Sequence, residues 1–520
     1  MLKRRIALLP VDARPVTSTL PQQLANIGGW EVVLPPKDIL GFLKKPGDLD
    51  QVRQWLEDQG EEVDGFVLST DMLCYGGLVP SRVNEDLLPT LLNRLNLLKT
   101  LKTKYPEKLL FTFSATMRIS NNYVNEEEKE YWSTYGVELY QYSFHSHKFA
   151  KTSDPESGLL VTELAQKIPP AILQDYLSTR EKNFLINRFL LQFVDEGVVD
   201  RLVFPQDDTS EYGLNIQEQE SLVQEVIEKR LFQKVSIYPG ADEVACSLLT
   251  RMILELENVK MPLFYPFYSG ETGALIPAMY EDRPIAESVK GQIFALGCHT
   301  VETSSEADII LAVNVPGKKQ GDLALQLFMN EVDTPHRNVG EWISRLRYYV
   351  QQGAMVGIAD VAYANGSDSS MVPQMLDTVE VLSLSGYAGW NTAGNTIGTV
   401  VSQTAMHYLQ KVKKLENHTL LTNQVIHRLV EDYVYQAVVR QKVRDEIVDE
   451  SRLSADELLV KVNECFLEEG QRFLDRIHVS ELTISNVHLP WNRTFEIGFE
   501  LIPHNQKRVI HNTTLKKETT

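Results

Sequence analysis

Three features of the sequence predict an α/β fold built on mainly parallel strands. Short β-rich apolar runs alternate with long amphipathic stretches over residues 1–410. Within the runs, hydrophobicity is continuous rather than alternating, the pattern of strands buried on both faces. Nearly every run also ends in a burst of polar, charged or glycine residues, as the ligand-facing edges of parallel sheets do.

In chain order the expected strands are Ile6–Leu9, Glu31–Leu34, Gly65–Ser69, Leu109–Phe113, Leu202–Phe204, Val235–Tyr238, Leu263–Phe267, Ile309–Val313, Met355–Ala359 and Val379–Leu384. Helical patterns separate most of them, among them Asp86–Lys102, Gln217–Lys229 and Gly340–Gln351. Tyr123–Asp200 has few strand signals, and Glu126–Glu130 and Lys182–Leu191 read as parts of a helical elaboration. About ten strands are too many for a plain eight-stranded barrel. A (β/α)8-barrel-like core with an α/β insertion near residues 256–345 is favoured, and two doubly wound lobes are the alternative. Leu415–Gly470 is helix-rich, and Glu481–Val487 and Thr494–Ile502 read as strands around His488-Leu489-Pro490-Trp491. A catalytic α/β region at 1–410 is therefore followed by a smaller C-terminal α+β unit at 411–520. Its polar tail, Lys507–Thr520, is expected to fray.

Composition narrows the function. The 520 residues carry 51 Lys+Arg against 70 Asp+Glu, a net charge of −19. That balance argues against nucleic-acid binding and against docking on anionic lipid. No apolar run is long enough for a secretory signal or a membrane span. Cys74, Cys246, Cys298 and Cys465 are far apart, the usage of a reduced compartment. A soluble cytoplasmic protein with a small-molecule substrate is the expectation, and oligomeric state stays open.

The polar bursts supply the candidate residues. Strand one runs into Asp12 and Arg14, the Gly65 strand into Asp71, Tyr75 and Arg82, and the Leu109 strand into Arg118. Gln206-Asp207-Asp208 follows the Leu202 strand, and Pro239-Gly240-Ala241-Asp242-Glu243 follows Val235–Tyr238. Later come Asp360, Tyr363, Asn365 and Asp368, then Tyr387, Trp390, Asn391 and Asn395. Each burst alone also reads as helix capping or a turn. Seven together point to one shared pocket at the strand ends.

Asp207 and Asp208 are the sharpest pair. Adjacent carboxylates crowd like charges, so one pKa should rise and provide an acid beside a base or stabiliser. Asp242 and Glu243 form a reserve pair. Arg14, Arg82 and Arg118 either bind an anionic substrate group or hold the acidic cluster in place. Trp390 with Asn391 and Asn395 has the mixture of a sugar site, an aromatic face with amides for hydroxyls. No cofactor is called for, though the Asp cluster keeps a divalent metal open. Phosphate-binding loops and a G-x-S-x-G elbow are absent. His145-Ser146-His147, the one close histidine pair, reads as surface histidines.

The strings Leu9-Pro10-x-Asp12-x-Arg14-Pro15, Tyr75-Gly76-Gly77-Leu78, Gln206-Asp207-Asp208, Tyr238-Pro239-Gly240-Ala241-Asp242-Glu243, Asp360-Val361-Ala362-Tyr363-Ala364-Asn365-Gly366 and Gly389-Trp390-Asn391-Thr392-Ala393-Gly394-Asn395-Thr396 resemble a bacterial domain-of-unknown-function family, forty-one twenty-seven. Leu489–Glu496 belongs to the same resemblance, which spans nearly the whole chain. It lends no activity but implies that the strand-end motifs act together. A much weaker similarity, through the Asp207-Asp208 pair, is to barrel glycosidases that remove N-acetylglucosamine. It implies one aspartate orienting the acetamido group and the other protonating the leaving oxygen. The leading expectation is a glycosidase using Asp207 and Asp208. The alternatives are a metal-dependent hydrolase or lyase on an acidic or phosphorylated molecule, and a non-catalytic small-molecule binder.

Overall fold

The computed structural model describes residues 4–447 and 450–504, so the tail Lys507–Thr520 lies outside the described residues. The chain forms two compact units, Met1–Pro262 with Tyr280–Thr300, and Leu263–Met279 with Val301–Thr520.

The first unit is built on six parallel strands: β1 (Arg5–Leu9), β2 (Glu31–Val33), β3 (Gly65–Ser69), β4 (Leu109–Phe113), β5 (Arg201–Gln206) and β6 (Val235–Pro239). They lie in the order β2-β1-β3-β4-β5-β6. Pairs such as Leu9↔Leu68, Ser69↔Phe113 and Pro205↔Tyr238 bring their C-terminal ends to one edge. The chain winds from β1 outward to β2, then returns past β1 to place β3 on the other side. That reversal opens a crevice beyond the C-terminal ends of β1 and β3. Both faces are covered, which explains the continuous apolar runs. Ala7, Leu9, Phe66, Leu68 and Phe204 share a core with Leu56, Leu91, Leu98, Ile186 and Leu222 from the helices. The helix Val244–Leu256 packs on β3 and β4. Helix starts follow the usual chemistry: Asp48 caps Leu49–Gln59, accepting from the Gln51 N–H, and Ser69 caps Thr70–Tyr75 through Met72. Three long helices, Trp132–Thr152, Pro155–Lys167 and Pro170–Asp195, separate β4 from β5. A short strand, β8 (His299–Thr300), ends the unit.

In the second unit β7 (Leu263–Tyr268), β9 (Ile309–Asn314), β11 (Met355–Asp360) and β13 (Gly386–Ala388) are parallel in the order β13-β11-β9-β7. Between them lie the two-residue strands β10 (Gly321–Asp322) and β12 (Tyr363–Ala364), which pair with each other. An antiparallel hairpin, β14 (Leu482–His488) and β15 (Gly498–Pro503), closes the described chain. Helix Ala455–Arg476 starts with a Ser454/Glu457 capping box.

The parallel α/β class holds, with a different arrangement from the favoured one. The strands form separate open sheets, as in the two-lobe alternative, because β1 and β3 become neighbours and leave β2 and β6 as edges. The expected insertion near residues 256–345 is divided instead: 263–279 and 301–345 belong to the second unit, and 280–300 return to the first. The division at 410/411 is also replaced. Val425, Leu429, Phe466 and Ile484 share one core with Trp342, Val356 and Ile358, so the C-terminal stretch completes the second unit. The expected strand Val379–Leu384 is a helix exit and a tight turn at Val381–Ser383. The strand begins at Gly386, where a Cβ would come within 2.9 Å of Gln403 Oε1. Glu126–Glu130 forms turns, because its glutamates reach for arginines. No helix among the described residues is long and apolar enough to cross a membrane.

Candidate functional site

Five strand ends of the first unit bring their polar bursts together. Beyond β1, Asp12 Oδ1 accepts from the Arg14 backbone N–H at 2.9 Å and from Thr17 Oγ1 at 2.8 Å. The Arg14 guanidinium then spans two carboxylates. Its Nε and Nη2 donate to Asp12 Oδ2 at 3.0 and 2.8 Å, and its Nη1 and Nη2 donate to Asp242 at 3.2 and 2.6 Å. All three residues are buried. Burial pushes the Asp242 carboxyl from 3.8 up to about 6, against the pull of Arg14.

After β3, Asp71 sits in the first turn of the helix Thr70–Tyr75. Its Oδ2 accepts from the Ala115 N–H at 3.0 Å, at the end of β4. Burial raises it to about 7; Asp207 adds to the rise and Arg82 opposes it. Asp207 also raises Asp242, so the three aspartates share one electrostatic neighbourhood.

Two arginines interlock with four carboxylates around Asp207 and Asp208. Arg82 Nη2 donates to Asp207 Oδ2 at 2.6 Å and Nη1 to Glu127 Oε2 at 2.9 Å. Arg118 Nη1 donates to Asp208 Oδ2 at 3.2 Å, while its Nε reaches Glu128 at 3.2 Å and its Nη2 reaches Glu127 at 3.1 Å. Asp208 adopts φ +44°, which turns the chain so that the adjacent carboxylates take different arginines. Their side chains are 17% and 32% exposed, so the cluster meets solvent there. Burial and the charge of Asp207 push the Asp208 carboxyl upward, with Arg118 and Arg82 opposing. Beside the pair, Gln206 Nε2 donates to Thr116 Oγ1 at 3.0 Å. Gln206 Oε1 and the Tyr75 hydroxyl are buried without a hydrogen-bond partner, the latter beside Asp71.

Glu243 lies apart from this opening. It is fully buried, and its Oε1 accepts from Gln292 Nε2 at 2.8 Å. The carboxyl packs on Gly240, which has φ +109° and where a Cβ would come within 2.8 Å of it. Burial pushes Glu243 up to about 8. It keeps its proton in the interior, a poor placement for a reserve acid or base, whereas Asp242 joins Arg14.

Asp360, Asn365, Asp368, Trp390, Asn391 and Asn395 belong to the second unit. Within the second unit these residues gather a polar cluster of their own. Asn314 Nδ2 donates to Asp360 Oδ1 at 2.9 Å and to Asp368 Oδ2 at 3.1 Å, and Arg337 Nη1 reaches Asp368 Oδ2 at 2.8 Å. Asp360 and Asp368 are fully buried, and burial raises Asp360. Asn365 Nδ2 donates to Asp322 at 3.1 Å, and its N–H donates to the Asn391 carbonyl. Asn395 is buried and bonds Thr392. Trp390 is 6% exposed; its indole N–H donates to Thr399 at 3.3 Å, and Arg428 lies 5.3 Å from its ring centroid. Its ring is packed as core and offers no open face to a sugar.

The histidine pair also departs from expectation. His147 is buried, and its Nδ1 accepts from the Gly213 N–H at 3.2 Å. Sequence reasoning missed Glu127, Glu128, Thr17, Asn314 and Arg337. For the two glutamates the available signal was an acidic run close after Arg118, which the helical reading of Glu126–Glu130 passed over. Among the described residues, no group of three or more His, Cys, Asp and Glu side chains is arranged to hold a metal ion.

No curated protein matches the chain. Among solved structures, the GH1 beta-glucosidase from Exiguobacterium antarcticum B7 overlaps 74% of this chain and 87% of that chain at 10% identity, with a TM-score of 0.18. A superposition that poor carries no argument about fold or chemistry. The family model described as "Protein of unknown function (DUF4127)" matches residues 6–500, and the chain belongs to that family.

Proposed function

We propose that the strand-end cluster of the first unit is the active site of a hydrolase for a small polar substrate, best read as a glycosidase. The observation that carries this is the division of labour between Asp207 and Asp208. Asp207 is ion-paired to Arg82 at 2.6 Å, while its neighbour Asp208, the more exposed of the two, is pushed toward its protonated form. An acid beside a charged carboxylate is the equipment of glycoside cleavage. In this reading Asp208 protonates the leaving oxygen as the glycosidic C–O bond breaks, Asp207 stabilises the positive charge developing on the sugar, and a water then adds to that carbon and returns a proton to Asp208. Arg82 and Arg118 hold the two carboxylates apart. The arginines are engaged by carboxylates, which argues against a phosphorylated substrate.

Chromogenic aryl glycosides, with and without EDTA, test the proposal. Cleavage should survive chelation, and Asp208→Asn should lower kcat by about 10²–10⁴-fold, the usual worth of a general acid. Activity that requires a divalent ion would move these aspartates from acid and stabiliser to metal ligands. Sugar-induced stabilisation without turnover of any glycoside would instead mark a binding protein.

A further inference from the structure

The helix Pro170–Asp195 buries polar residues as well as apolar ones. Tyr176, Ile186 and Leu190 are buried along it, and so are Arg180, Asn183 and Asn187. The last three follow one another at three and four residues, so they share one face. Polar groups are costly in a core unless they are bonded. Each of these three bonds the backbone of a turn that leads into the strand-end cluster. Asn187 Oδ1 accepts from Ser114 Oγ at 2.6 Å, and its Nδ2 donates to the Ala115 carbonyl at 3.4 Å, just beyond β4. Asn183 Nδ2 donates to the Ser81 carbonyl at 3.1 Å. Arg180 donates from Nη2 to the Met117 carbonyl at 2.9 Å and from Nη1 to the Arg118 carbonyl at 3.3 Å. Glu218, on the helix Leu214–Glu228, holds that guanidinium through bonds of 2.9 and 2.6 Å.

The choice of carbonyls is informative. Those of Met117 and Arg118 belong to the two peptide planes on either side of the Arg118 Cα, so one guanidinium restrains both backbone angles of Arg118. The Ser81 carbonyl belongs to the plane just before the Arg82 Cα. Arg82 and Arg118 in turn donate to Asp207 and Asp208. The backbone angles set the direction in which a side chain leaves its Cα, and the far end of an arginine magnifies a small rotation there. Stability alone would be served by carbonyls anywhere in these turns, whereas those bonded by Arg180 and Asn183 flank the two arginines of the site.

Resting on the hydrolase reading above for its effect on turnover, we infer that Arg180, Asn183 and Asn187 are positioning residues, a ladder that fixes the directions in which Arg82 and Arg118 reach Asp207 and Asp208. The long helical stretch between β4 and β5 then serves the site, by giving its turns a rigid template. Burial pushes the Asp208 carboxyl upward, Asp207 and Glu127 add to the rise, and Arg118 and Arg82 oppose it. Slackening either arginine therefore lets Asp208 keep its proton to a higher pH.

Carbon-13 NMR of the full chain, labelled at the aspartate side-chain carboxyls, tests this without any substrate, the Asp208 signal being assigned by its loss in Asp208→Asn. Arg180→Met combined with Glu218→Leu removes the ion pair as a pair, so neither charge is stranded and the variant should fold. Its Asp208 titration midpoint should rise by about one pH unit, the smaller end of what a neighbouring charge does. On an aryl glycoside kcat should fall by up to about 10²-fold, and its alkaline limb should move up with Asp208. Asn183→Leu, which frees the Ser81 carbonyl and slackens Arg82, should move Asp208 in the same direction, and it decides the matter if the double variant does not fold. An unmoved or lowered Asp208 midpoint in a folded variant would overturn the inference. The same result beside normal turnover would overturn it and leave the hydrolase standing. A raised midpoint in a protein that cleaves no glycoside would support it and remove the hydrolase.

Discussion

Arg14→Met should destabilise the first unit strongly at pH 8 and little at pH 4. Arg14 bonds Asp12 and Asp242 through four side-chain contacts of 2.6–3.2 Å. The Asp242 carboxyl sits at about 6 in the fold against an ordinary 3.8, so the native state holds its proton more tightly than the unfolded chain does. Below pH 4 both states are protonated and the group costs nothing. Between 4 and 6 stability falls as pH rises. Above 6 both states are ionised, and the gap of about two pH units, at about 1.36 kcal/mol each, leaves a constant cost of about 3 kcal/mol. Without the guanidinium the folded value climbs further and the cost deepens. Removing one partner of a buried ion pair costs about 3–5 kcal/mol. At about 2–4 °C per kcal/mol for a unit of this size, the wild type and variant should differ at pH 8 by on the order of 10 °C. At pH 4 the stranded Asp242 carboxyl can take a proton and the difference should shrink to a few degrees. Calorimetric melting from pH 4 to 8 reads this directly, and the first unit's transition must be followed separately because two units need not melt together. Equal differences at both pH values would refute the reasoning, as would no difference at pH 8.

Two further substitutions probe other parts of the fold. Gly240→Ala puts a side chain at φ +109° and against the Glu243 carboxyl, so it should lower the first unit's melting temperature by several degrees, whereas Gly197→Ala, with open space around it, should cost less. Asp368→Asn strips the Arg337 side chain of its buried carboxylate partner, leaving the exposed Asp333 at 3.5 Å, and should cost the second unit about 3–5 kcal/mol by chemical denaturation; a loss under 1 kcal/mol would mean that Asp333 suffices for Arg337.

The strands were legible where burial on both faces leaves no choice but apolar residues. Ile6–Leu9, Gly65–Ser69 and Leu109–Phe113 fall within one residue of their observed bounds. Gly386–Ala388 escaped because a three-residue edge strand pressed against Gln403 has little side chain to display. Sheet membership was not legible, since nothing in the composition of β6 or β7 says that one sheet ends and another begins between them. This is why a count of strands pointed to a barrel. The same limit governs the site. Asp12, Asp71, Asp207 and Asp242 could be gathered from their place after strands. Trp390 and Asn395 shared that place, and only the three-dimensional structure separates them into another unit as buried core. Glu127 and Glu128 belong to no strand end, so a rule keyed to strand ends could not find them.

The chain path carries a consequence for how the protein is made. Residues 280–300 return to the first unit after 263–279 have entered the second. Gln292, which bonds Glu243, arrives with this late segment. On the ribosome, then, the first unit cannot close when residue 262 emerges. It waits for 38 more residues, the span from 262 to 300, which at typical rates takes roughly 2–8 s. During that interval Glu243 lacks its amide donor, and β7 is already exposed as an apolar strand with no sheet to join. Truncation at residue 262 would freeze the chain in that state, whereas a fragment ending at residue 300 would carry every residue of the first unit.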